Sequence, residues 1–430
     1  MEPNFSPPVA RPLSLTADEL LDALLNLAPE RRAQILDSCG ARDADARYLI
    51  AGFDPFKVVE ARRGQALSRA RDENGDGSNV IQVESSSVLS ILDEHLARYR
   101  VPAPQQTLKQ WLSVPAVGAC IATFSYDLGR NFERLRSRAP RRETDEPDAV
   151  LAFYDMLVFH DYASGETAIV SVGGPRRVEE TAQALSDSLS DAHRAASLSG
   201  TVRGERIISS APPRSGTAFQ EFSTYNEIVS SNFTRQEYIA TVERIKEHIR
   251  AGDIYQANLT QQLTRALPPG TRAEDIFRRL RRDHPASFAA FLRRSADTVV
   301  SASPERFLRV TLEDDEGQGG RRVEAWPIKG TRPRGRDAAE DARLRADLAL
   351  SAKDRAENVM IVDLLRNDLG RVCRYGSVEV AELCAVQEHP TLFHLVSKVR
   401  GSLRDGVTAG ELLRAAFPCG SITGAPKIRA

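Results

Sequence analysis

A long segment rich in Ser, Gly and Pro divides this sequence into two halves and limits how the chain can fold. The segment spans 197–232, and apolar runs and helical patterns occur on both sides of it. It is predicted to be a linker between a region at 16–196 and a region at 233–430. Residues 1–15 are predicted to be a disordered tail, because their Pro residues are not accompanied by an apolar run.

The region before the linker mixes strand and helix patterns. Short apolar runs at 117–124 and 150–159 are typical of strands, whereas 20–25 and 89–96 follow a helical pattern. The charged, Pro-bearing stretch at 134–147 predicts an exposed loop. We therefore expect a mixed architecture of helices and strands in this half.

The region after the linker begins with a well-marked helix. Thr234 and Glu237 form a capping-box pattern, an apolar stripe follows, and Gly252 marks the end. The stretch 254–263 alternates as a strand does, which places Gln256 on a polar face. Later segments predict two strands paired as a hairpin and then a helix, at 306–312, 323–328 and 353–367.

The balance of charges and the use of Cys narrow the classes of function. With 58 Lys and Arg against 59 Asp and Glu, the formal net charge is -1, so no overall field attracts nucleic acid or an anionic membrane. The five Cys residues include no CxxC pair, which disfavours a zinc site or a disulfide framework and fits a reducing cytoplasm. We expect a cytoplasmic globular protein with neither nucleic acid nor a membrane as partner.

Six short segments in the second half carry the strongest signal in the sequence. They lie at 252–259, 303–307, 327–331, 354–358, 394–397 and 420–427. In this order they are similar to the motifs of the chorismate-utilising enzymes, a family that includes anthranilate, aminodeoxychorismate, isochorismate and salicylate synthases. Two segments of the first half, 35–38 and 124–130, resemble the N-terminal region of the same family. The resemblance implies an α+β fold of the anthranilate synthase component I type, with packed central β-sheets flanked by helices and two interleaved subdomains.

The chemistry of the substrate defines what the site must contain. Chorismate is a small dianion whose ring hydroxyl has to leave, so a site needs positive charge, an acid and a nucleophile. Glu357 and Asp354 lie three residues apart on a predicted helix, so both carboxylates share a face and could bind Mg²⁺. The resemblance favours Glu357 as the direct ligand. A charged helix surface is the alternative for a pair with this spacing.

The glycine-bearing turn at 420–427 is predicted to bind a carboxylate of the substrate. Pro426 is of a type preferred at the first turn of a helix, and free amides together with the Lys427 ammonium form a local anion site. A turn with only a structural role is the alternative. The predicted substrate contacts are Gln256, Thr331, Ser421, Thr423, Gly424 and Lys427.

Glu305 and His394 are the candidates for proton transfer. Glu305 follows a Pro at a strand break, where a carboxyl group can be held rigidly and partly desolvated. A raised pKa would let Glu305 protonate the departing hydroxyl. The resemblance places His394 beside the reacting ring, although a structural role in the core is commoner for an isolated His.

Lys329 distinguishes the branches of the family. Anthranilate and isochorismate synthases usually carry Ala at this place, whereas Lys is typical of aminodeoxychorismate synthase component I, which this chain resembles. In the mechanism that the resemblance implies, the Lys329 amine attacks ring position 2 and expels the hydroxyl, and ammonia then enters at position 4 and expels the lysine. Arg stays protonated and cannot replace it. A surface lysine on a hairpin is the alternative.

The resemblance also implies the partners. Gln256 stands where salicylate and isochorismate synthases carry a Lys that activates water, so ammonia is the expected nucleophile. No amidotransferase pattern is recognisable, so ammonia is expected from a glutamine amidotransferase subunit or from solution. The predicted function is Mg²⁺-dependent amination of chorismate to 4-amino-4-deoxychorismate for folate biosynthesis. Two alternatives stay open: anthranilate synthase component I, and a non-catalytic subunit that binds an aromatic amino acid such as tryptophan near Ser38.

The family pattern extends beyond the turn at 420–427. In relatives it continues through a helix with further metal-binding glutamates and a Gly-rich strand that helps to bind the substrate. We therefore expect the chain, which ends at Ala430, to be C-terminally incomplete, as a fragment or a natural truncation. Loss of central strands would leave sheet edges and apolar faces exposed, and we expect the isolated chain to be unstable.

Overall fold

Helices and strands alternate along the chain, in agreement with the predicted α+β class. The computed structural model describes residues 5–41, 46–70, 80–84, 86–99, 116–133, 146–198, 229–313, 320–389 and 392–430. Short 3-10 helices span Pro29–Arg31, Tyr126–Asn131 and Gly420–Ile422. The α-helices in these residues are α1 (Ala17–Asn26), α2 (Val88–Arg98), α3 (Pro175–Leu198), α4 (Arg235–Arg250), α5 (Ala273–Asp283), α6 (Ala338–Leu350), α7 (Ala352–Gly370) and α8 (Ala409–Ala416).

The strands fall into three larger sheets and two short pairs. Those of the first half are β1 (Val9–Leu13), β2 (Gln34–Asp37), β3 (Tyr48–Gly52), β4 (Lys57–Arg62), β5 (Gln65–Ala70), β6 (Val80–Glu84), β7 (Ala119–Phe124), β8 (Ala149–Tyr154), β9 (Met156–Asp161) and β10 (Thr167–Ser171). Those that follow are β11 (Ser230–Ser231), β12 (Gln256–Ala257), β13 (Leu263–Thr264), β14 (Phe288–Arg293), β15 (Thr298–Ser303), β16 (Arg309–Glu313), β17 (Gly320–Ala325), β18 (Ile328–Pro333), β19 (Glu379–Glu388), β20 (Leu392–Ser402) and β21 (Gly424–Ala425).

The central sheet contains strands from both halves of the chain. Its order is β1-β10-β9-β3-β2-β14-β15, and neighbouring strands are antiparallel. β14 from the second half pairs with β2 from the first, with Phe291 opposite Ile35. Helices α1 and α3 cover one face, where Leu20, Leu24 and Leu185 pack against the sheet. The two halves are therefore interleaved in space.

Residues 9–13 form an ordered strand, so the prediction of a disordered tail over 1–15 is wrong for this part. β1 pairs with β10, and Val9 lies opposite Ser171. Pro12 is compatible with the strand because β1 lies at the edge of the sheet, where a missing N–H leaves no neighbour unpaired. The Pro content was therefore a misleading signal of disorder.

The second sheet packs against the central sheet. Its order is β6-β5-β4-β8-β7, all from the first half. Tyr154 of β8 lies in one buried cluster with Leu157, Phe159 and Val170 of the central sheet. Helix α2 covers the opposite face together with α8, which comes from the second half. The two sheets thus form a layered core that α8 helps to close.

The third sheet carries the motif-bearing strand β18. Its order is β16-β17-β20-β18, and β19 also pairs with β20. The predicted hairpin is confirmed, since β16 pairs with β17. Helix α7, predicted at 353–367, is confirmed and packs on this sheet through Ile361, Leu365 and Leu369. This packing places the carboxylates of α7 and the amine of β18 on neighbouring elements.

Helix α4 is capped as predicted but does not bury its apolar stripe. The Thr234 hydroxyl accepts from the Glu237 N–H, and the Glu237 carboxylate accepts from the Thr234 N–H, which confirms the capping box. None of its side chains is buried. The stripe consists of Tyr238, Val242, Ile245 and Ile249.

The continuous strand predicted at 254–263 is wrong. Only β12 and β13 form within it, and each pairs with a distant two-residue strand, β21 and β11 respectively. Alternation of polar and apolar residues does not distinguish a regular strand from an extended segment that makes local pairs. Gln256 itself lies in β12, opposite Ala425.

Two predicted segments lie only partly within the residues that the structure describes. The predicted loop at 134–147 lies outside them except for its last two residues, and the predicted linker at 197–232 lies outside them except at its ends. Of the helices described, none is both long and apolar enough to cross a membrane.

Asp93 connects the two halves by binding the N-terminus of α8. Its carboxylate accepts from the Thr408 hydroxyl at 2.7 Å and from the Gly410 N–H at 2.8 Å. We predict that Asp93→Ala lowers the free energy of unfolding by about 1–2 kcal/mol, because a charge-assisted partner of a helix N-terminus is lost. Urea denaturation followed by circular dichroism measures this. Glu94→Ala, at the exposed neighbouring position, is the control, and an equal loss in both variants would contradict the prediction.

Candidate active site

A bulge in β18 determines where Lys329 lies. Ile328 pairs with Val396 and Thr331 with His394, so the register shifts between them. Gly330 has a φ of +88°, a conformation that glycine adopts without strain. A Cβ atom at Gly330 would come within 2.9 Å of the Asp354 Cβ on α7. The bulge therefore needs glycine, and it lets β18 pass close to α7 at the residue next to Lys329.

Five of the predicted site residues converge at this point. Lys329 Nζ lies 3.5 Å from Glu357 Oε1 and donates to the carbonyl oxygen of Ser421 at 3.4 Å. The Ser421 hydroxyl donates to Glu305 Oε1 at 2.7 Å. Gln256 Nε2 donates to Glu357 Oε1 at 3.3 Å. Segments far apart in sequence thus bring an amine, two carboxyl groups, an amide and a hydroxyl into one cluster, which we call the Lys329 cluster.

Glu305 has the environment expected of an acid. Burial raises the pKa of Glu305, while the hydrogen bond from Ser421 and the charge of Lys329 act in the opposite direction. A raised pKa favours the protonated form, so the carboxyl group can donate a proton at a higher pH than an exposed glutamate can. The environment predicted from the sequence is therefore present in the structure.

His394 forms a pair with Thr331 across β18 and β20. The Thr331 hydroxyl lies 3.0 Å from His394 Nδ1. Burial lowers the pKa of His394 to about 4, and the neighbouring His389 adds to this effect. The ring is therefore neutral near pH 7, with one nitrogen able to donate a hydrogen bond and the other to accept one. The pair lies two residues along β18 from Lys329.

A buried polar network fixes α7 against the sheet. Asn358 Nδ2 donates to the carbonyl oxygen of Leu395 at 3.1 Å, and the Ser397 hydroxyl donates to Asn358 Oδ1. The same hydroxyl accepts from the Cys384 N–H at 2.8 Å. Because Asn358 directly follows Glu357, the network sets the rotation of α7 and hence the direction of Glu357. Sequence analysis gave Asn358 and Ser397 no role, although both lie within motifs that it identified.

Two predicted residues are bound elsewhere. Asp354 accepts from Arg332 Nη2 at 3.0 Å. Lys427 donates to the buried Asp368 and to the carbonyl oxygen of Ala416 at 2.8 Å. Arg332 contacts only Oδ2 of Asp354, and the Lys427 ammonium has three N–H donors for two acceptors, so the roles predicted for both residues stay predictions.

The remaining residues of the turn at 420–427 have mainly structural contacts. The Thr423 hydroxyl donates to the Cys419 carbonyl oxygen at 3.2 Å, and Gly424 pairs with Ala257 in the short β12–β21 ladder. A Cβ atom at Gly424 would lie 2.4 Å from the Gln256 carbonyl oxygen. The turn thus holds β12 and keeps Gln256 in the Lys329 cluster.

The oxygen donors of the cluster fit a hard cation. No group of three or more His, Cys, Asp and Glu side chains suited to a metal occurs among the described residues. However, Gln256 Oε1 is buried and makes no hydrogen bond to any of these residues, and its amide contacts Glu357. Mg²⁺ commonly binds one or two carboxylates and completes its shell with water and substrate oxygens. Glu357 and Gln256 therefore suit Mg²⁺ by their donor chemistry.

Ser38 lies at the end of β2, outside the Lys329 cluster. Its hydroxyl is buried and has no hydrogen-bond partner within the described part of the chain. The neighbouring Asp37 accepts from the Tyr162 hydroxyl at 2.8 Å and from Arg281 Nε at 2.7 Å. An unsatisfied buried hydroxyl beside charged groups is compatible with the predicted amino-acid pocket, which stays a prediction.

Comparison with known families identifies the class of protein to which this fold and the Lys329 cluster belong. A sequence profile described as chorismate binding enzyme matches residues 39–430. The chain therefore belongs to the family of chorismate binding enzymes.

Relatives with two different names are among the proteins to which this chain is similar. The chain is 34% identical over 405 residues to aminodeoxychorismate synthase component 1 of Klebsiella aerogenes, covering 94% of this chain and 78% of that protein. It is 31% identical over 426 residues to anthranilate synthase component 1 of Bacillus caldotenax, covering 98% and 78%. Among solved structures, anthranilate synthase component I from Streptococcus pneumoniae TIGR4 has the same fold, with a TM-score of 0.60, 24% identity and coverage of 90% and 76%.

The lowered pKa of His394 predicts a dependence of stability on pH. In the unfolded chain this residue gains a proton near its ordinary pKa of about 6.5, whereas in the folded chain it does so near pH 4. Between these values the unfolded state binds more protons, so the folded state loses stability as the pH falls. We predict that the stability of the native chain relative to His394→Gln falls by about 1–3 kcal/mol from pH 7 to pH 4.

Urea denaturation at several pH values measures this difference. His284→Gln, which changes an exposed histidine, is the control and should show no such trend. A constant difference between the native chain and His394→Gln over this range would contradict the prediction.

Proposed function

We propose that this enzyme aminates chorismate to 4-amino-4-deoxychorismate in the folate branch, with Mg²⁺ and with ammonia from a glutamine amidotransferase subunit. The observation that supports this most is the position of Lys329, whose amine lies 3.5 Å from Glu357 in a cluster that also contains Glu305. Its side chain is only 17% exposed. The identity to proteins named aminodeoxychorismate synthase component 1 supports the same proposal.

Each residue of the cluster has a part in the proposed reaction. Glu305, with its raised pKa, donates a proton to the hydroxyl that leaves from ring position 4 as water. The Lys329 amine, held between the Ser421 carbonyl oxygen and Glu357, attacks position 2 in its neutral form. Ammonia then attacks position 4, and the lysine amine leaves. Chorismate and ammonia thus give the aminated product and water.

The other contacts orient the substrate and the ion. Mg²⁺, when bound by Glu357 and Gln256, would supply positive charge for the carboxylates of the substrate. The neutral His394 and the Thr331 hydroxyl offer donors and acceptors beside Lys329. Ser421 keeps Glu305 aligned by donating to its carboxyl group.

Anthranilate synthase component I is the second candidate, because relatives with that name match 98% of this chain. The two proposals differ in the chemical role of Lys329. Amination at position 4 through a covalent intermediate requires its amine, whereas direct attack of ammonia on the ring does not. Identification of the product by chromatography, together with variants at Lys329, separates the two.

We predict that Lys329→Ala and Lys329→Arg each lower the rate of amination at least about 100-fold, because no other neutral amine can form the intermediate. The rate is measured with chorismate, Mg²⁺ and ammonium, so that no partner subunit is required. Lys353→Ala, which removes an exposed lysine from α7, is the matched control and should keep the native rate. Full activity in Lys329→Ala would remove the nucleophile from the proposal.

The regulatory alternative is tested by binding. Isothermal titration of the chain with chorismate and Mg²⁺, and separately with tryptophan, shows which ligand it takes. Binding of chorismate that is lost in Glu357→Ala supports the catalytic proposal. Binding of tryptophan alone, lost in Ser38→Val, would support a non-catalytic subunit instead.

A further inference from the structure

A second cleft lies in the first half of the chain, outside the Lys329 cluster. It is bounded by β4, β5, the residues that follow the Pro29–Arg31 turn, and the connection between β14 and β15. Its two lobes have volumes of about 350 Å³ and 650 Å³. The side chains shared by both lobes are Arg32, Val58, Arg69 and Ser295.

The smaller lobe is formed by one face of a two-strand ladder. β4 and β5 are antiparallel, with Val58 opposite Arg69 and Glu60 opposite Leu67. Because side chains alternate along a strand, these four residues project from the same face. The intervening residues, such as Val59, project from the other face into the core beneath α2. The charged side chains of Glu60 and Arg69 therefore line the cleft and do not point into the core.

Arg32 reaches the cleft from a rigid turn. Its backbone lies in the left-handed region, with φ of 50°, and its carbonyl oxygen accepts from the Tyr154 hydroxyl at 3.2 Å. Burial and the neighbouring charge of Arg69 lower the pKa of Arg32, whereas the charge of Glu60 acts in the opposite direction. Arginine remains charged in spite of such a shift.

The positive charge of the smaller lobe is not balanced by its own residues. Neither the guanidinium group of Arg32 nor that of Arg69 makes a hydrogen bond or an ion pair with a residue that the structure describes. The carboxylate that lines this lobe, Glu60, already accepts from Arg62 Nε at 2.6 Å and from the Ser295 hydroxyl at 2.7 Å. Three arginines and one glutamate line this lobe, which leaves two positive charges in excess.

We propose that the smaller lobe binds a small polyvalent anion of the phosphate or carboxylate type. Guanidinium groups bind both kinds of anion through paired hydrogen bonds. A volume of about 350 Å³ suits a metabolite of low molecular weight. The formal net charge of the chain is only -1, so the attraction is local to this cleft. Nothing in the proposed reaction uses the residues of this lobe.

Calorimetric titration of the full chain tests this proposal. Pyrophosphate and citrate are the two probes, used separately in metal-free buffer so that chelation does not contribute heat. We expect at least one of them to bind with a Kd below about 1 mM, and the stronger binder identifies the type of anion. Absence of binding by both probes would overturn the proposal.

Variants connect the binding to the two arginines. Arg32→Gln and Arg69→Gln should each weaken binding at least about tenfold, because each removes a charge-assisted contact. The control is Arg176→Gln, which changes an arginine that is 91% exposed on α3. Unchanged binding in both cleft variants, or equal loss in the control, would contradict the assignment.

Thermal unfolding without any ligand gives a second, independent readout. If Arg69 serves a ligand, its repulsion of Arg32 outweighs its attraction to Glu60 in the free protein, so Arg69→Gln should raise Tm. Pyrophosphate or citrate should raise the Tm of the native chain and have no such effect on the variant. A lower Tm for Arg69→Gln would show that this arginine supports the fold, and the proposal would fail.

Discussion

The contact between Lys329 on β18 and Glu357 on α7 is the interaction around which the site is arranged. An ion pair with these side chains 17% and 30% exposed contributes only about 0–1 kcal/mol, so it does not hold the two elements together. Backbone geometry and buried contacts hold β18 and α7 together. Gly330 permits the close approach of β18 to α7, and the buried Asn358 holds the helix against β20. The amine and the carboxylate are therefore placed before a substrate arrives, which is the condition for efficient catalysis.

Local sequence signals predicted several elements correctly. The capping box of α4, the helix α7 and the β16–β17 hairpin each depend on residues within a few positions of one another, and all three are present. The motifs also placed Glu305, Lys329 and Glu357 in one site, because the resemblance carries information about distant contacts. The resemblance also predicted interleaved subdomains, and the central sheet does contain strands from both halves of the chain.

Features that depend on a distant partner could not be predicted from the sequence. The pairing of Asp354 with Arg332 and that of Lys427 with Asp368 have no local signal in the sequence. Residues 9–13 form an ordered strand because β1 pairs with β10, which lies more than 150 residues further along the chain. The excess positive charge beside Arg32 likewise appears only when β4, β5 and the Pro29–Arg31 turn come together.

The proposed mechanism depends on a transient covalent bond between Lys329 and the substrate. Intact mass spectrometry after rapid acid quenching of the enzyme with chorismate and Mg²⁺, without ammonia, measures this bond directly. We predict an added mass equal to chorismate minus one water, located by peptide mapping at Lys329 and absent from Lys329→Ala. Formation of the aminated product by a native enzyme that never carries this adduct, or the same adduct in Lys329→Ala, would contradict it.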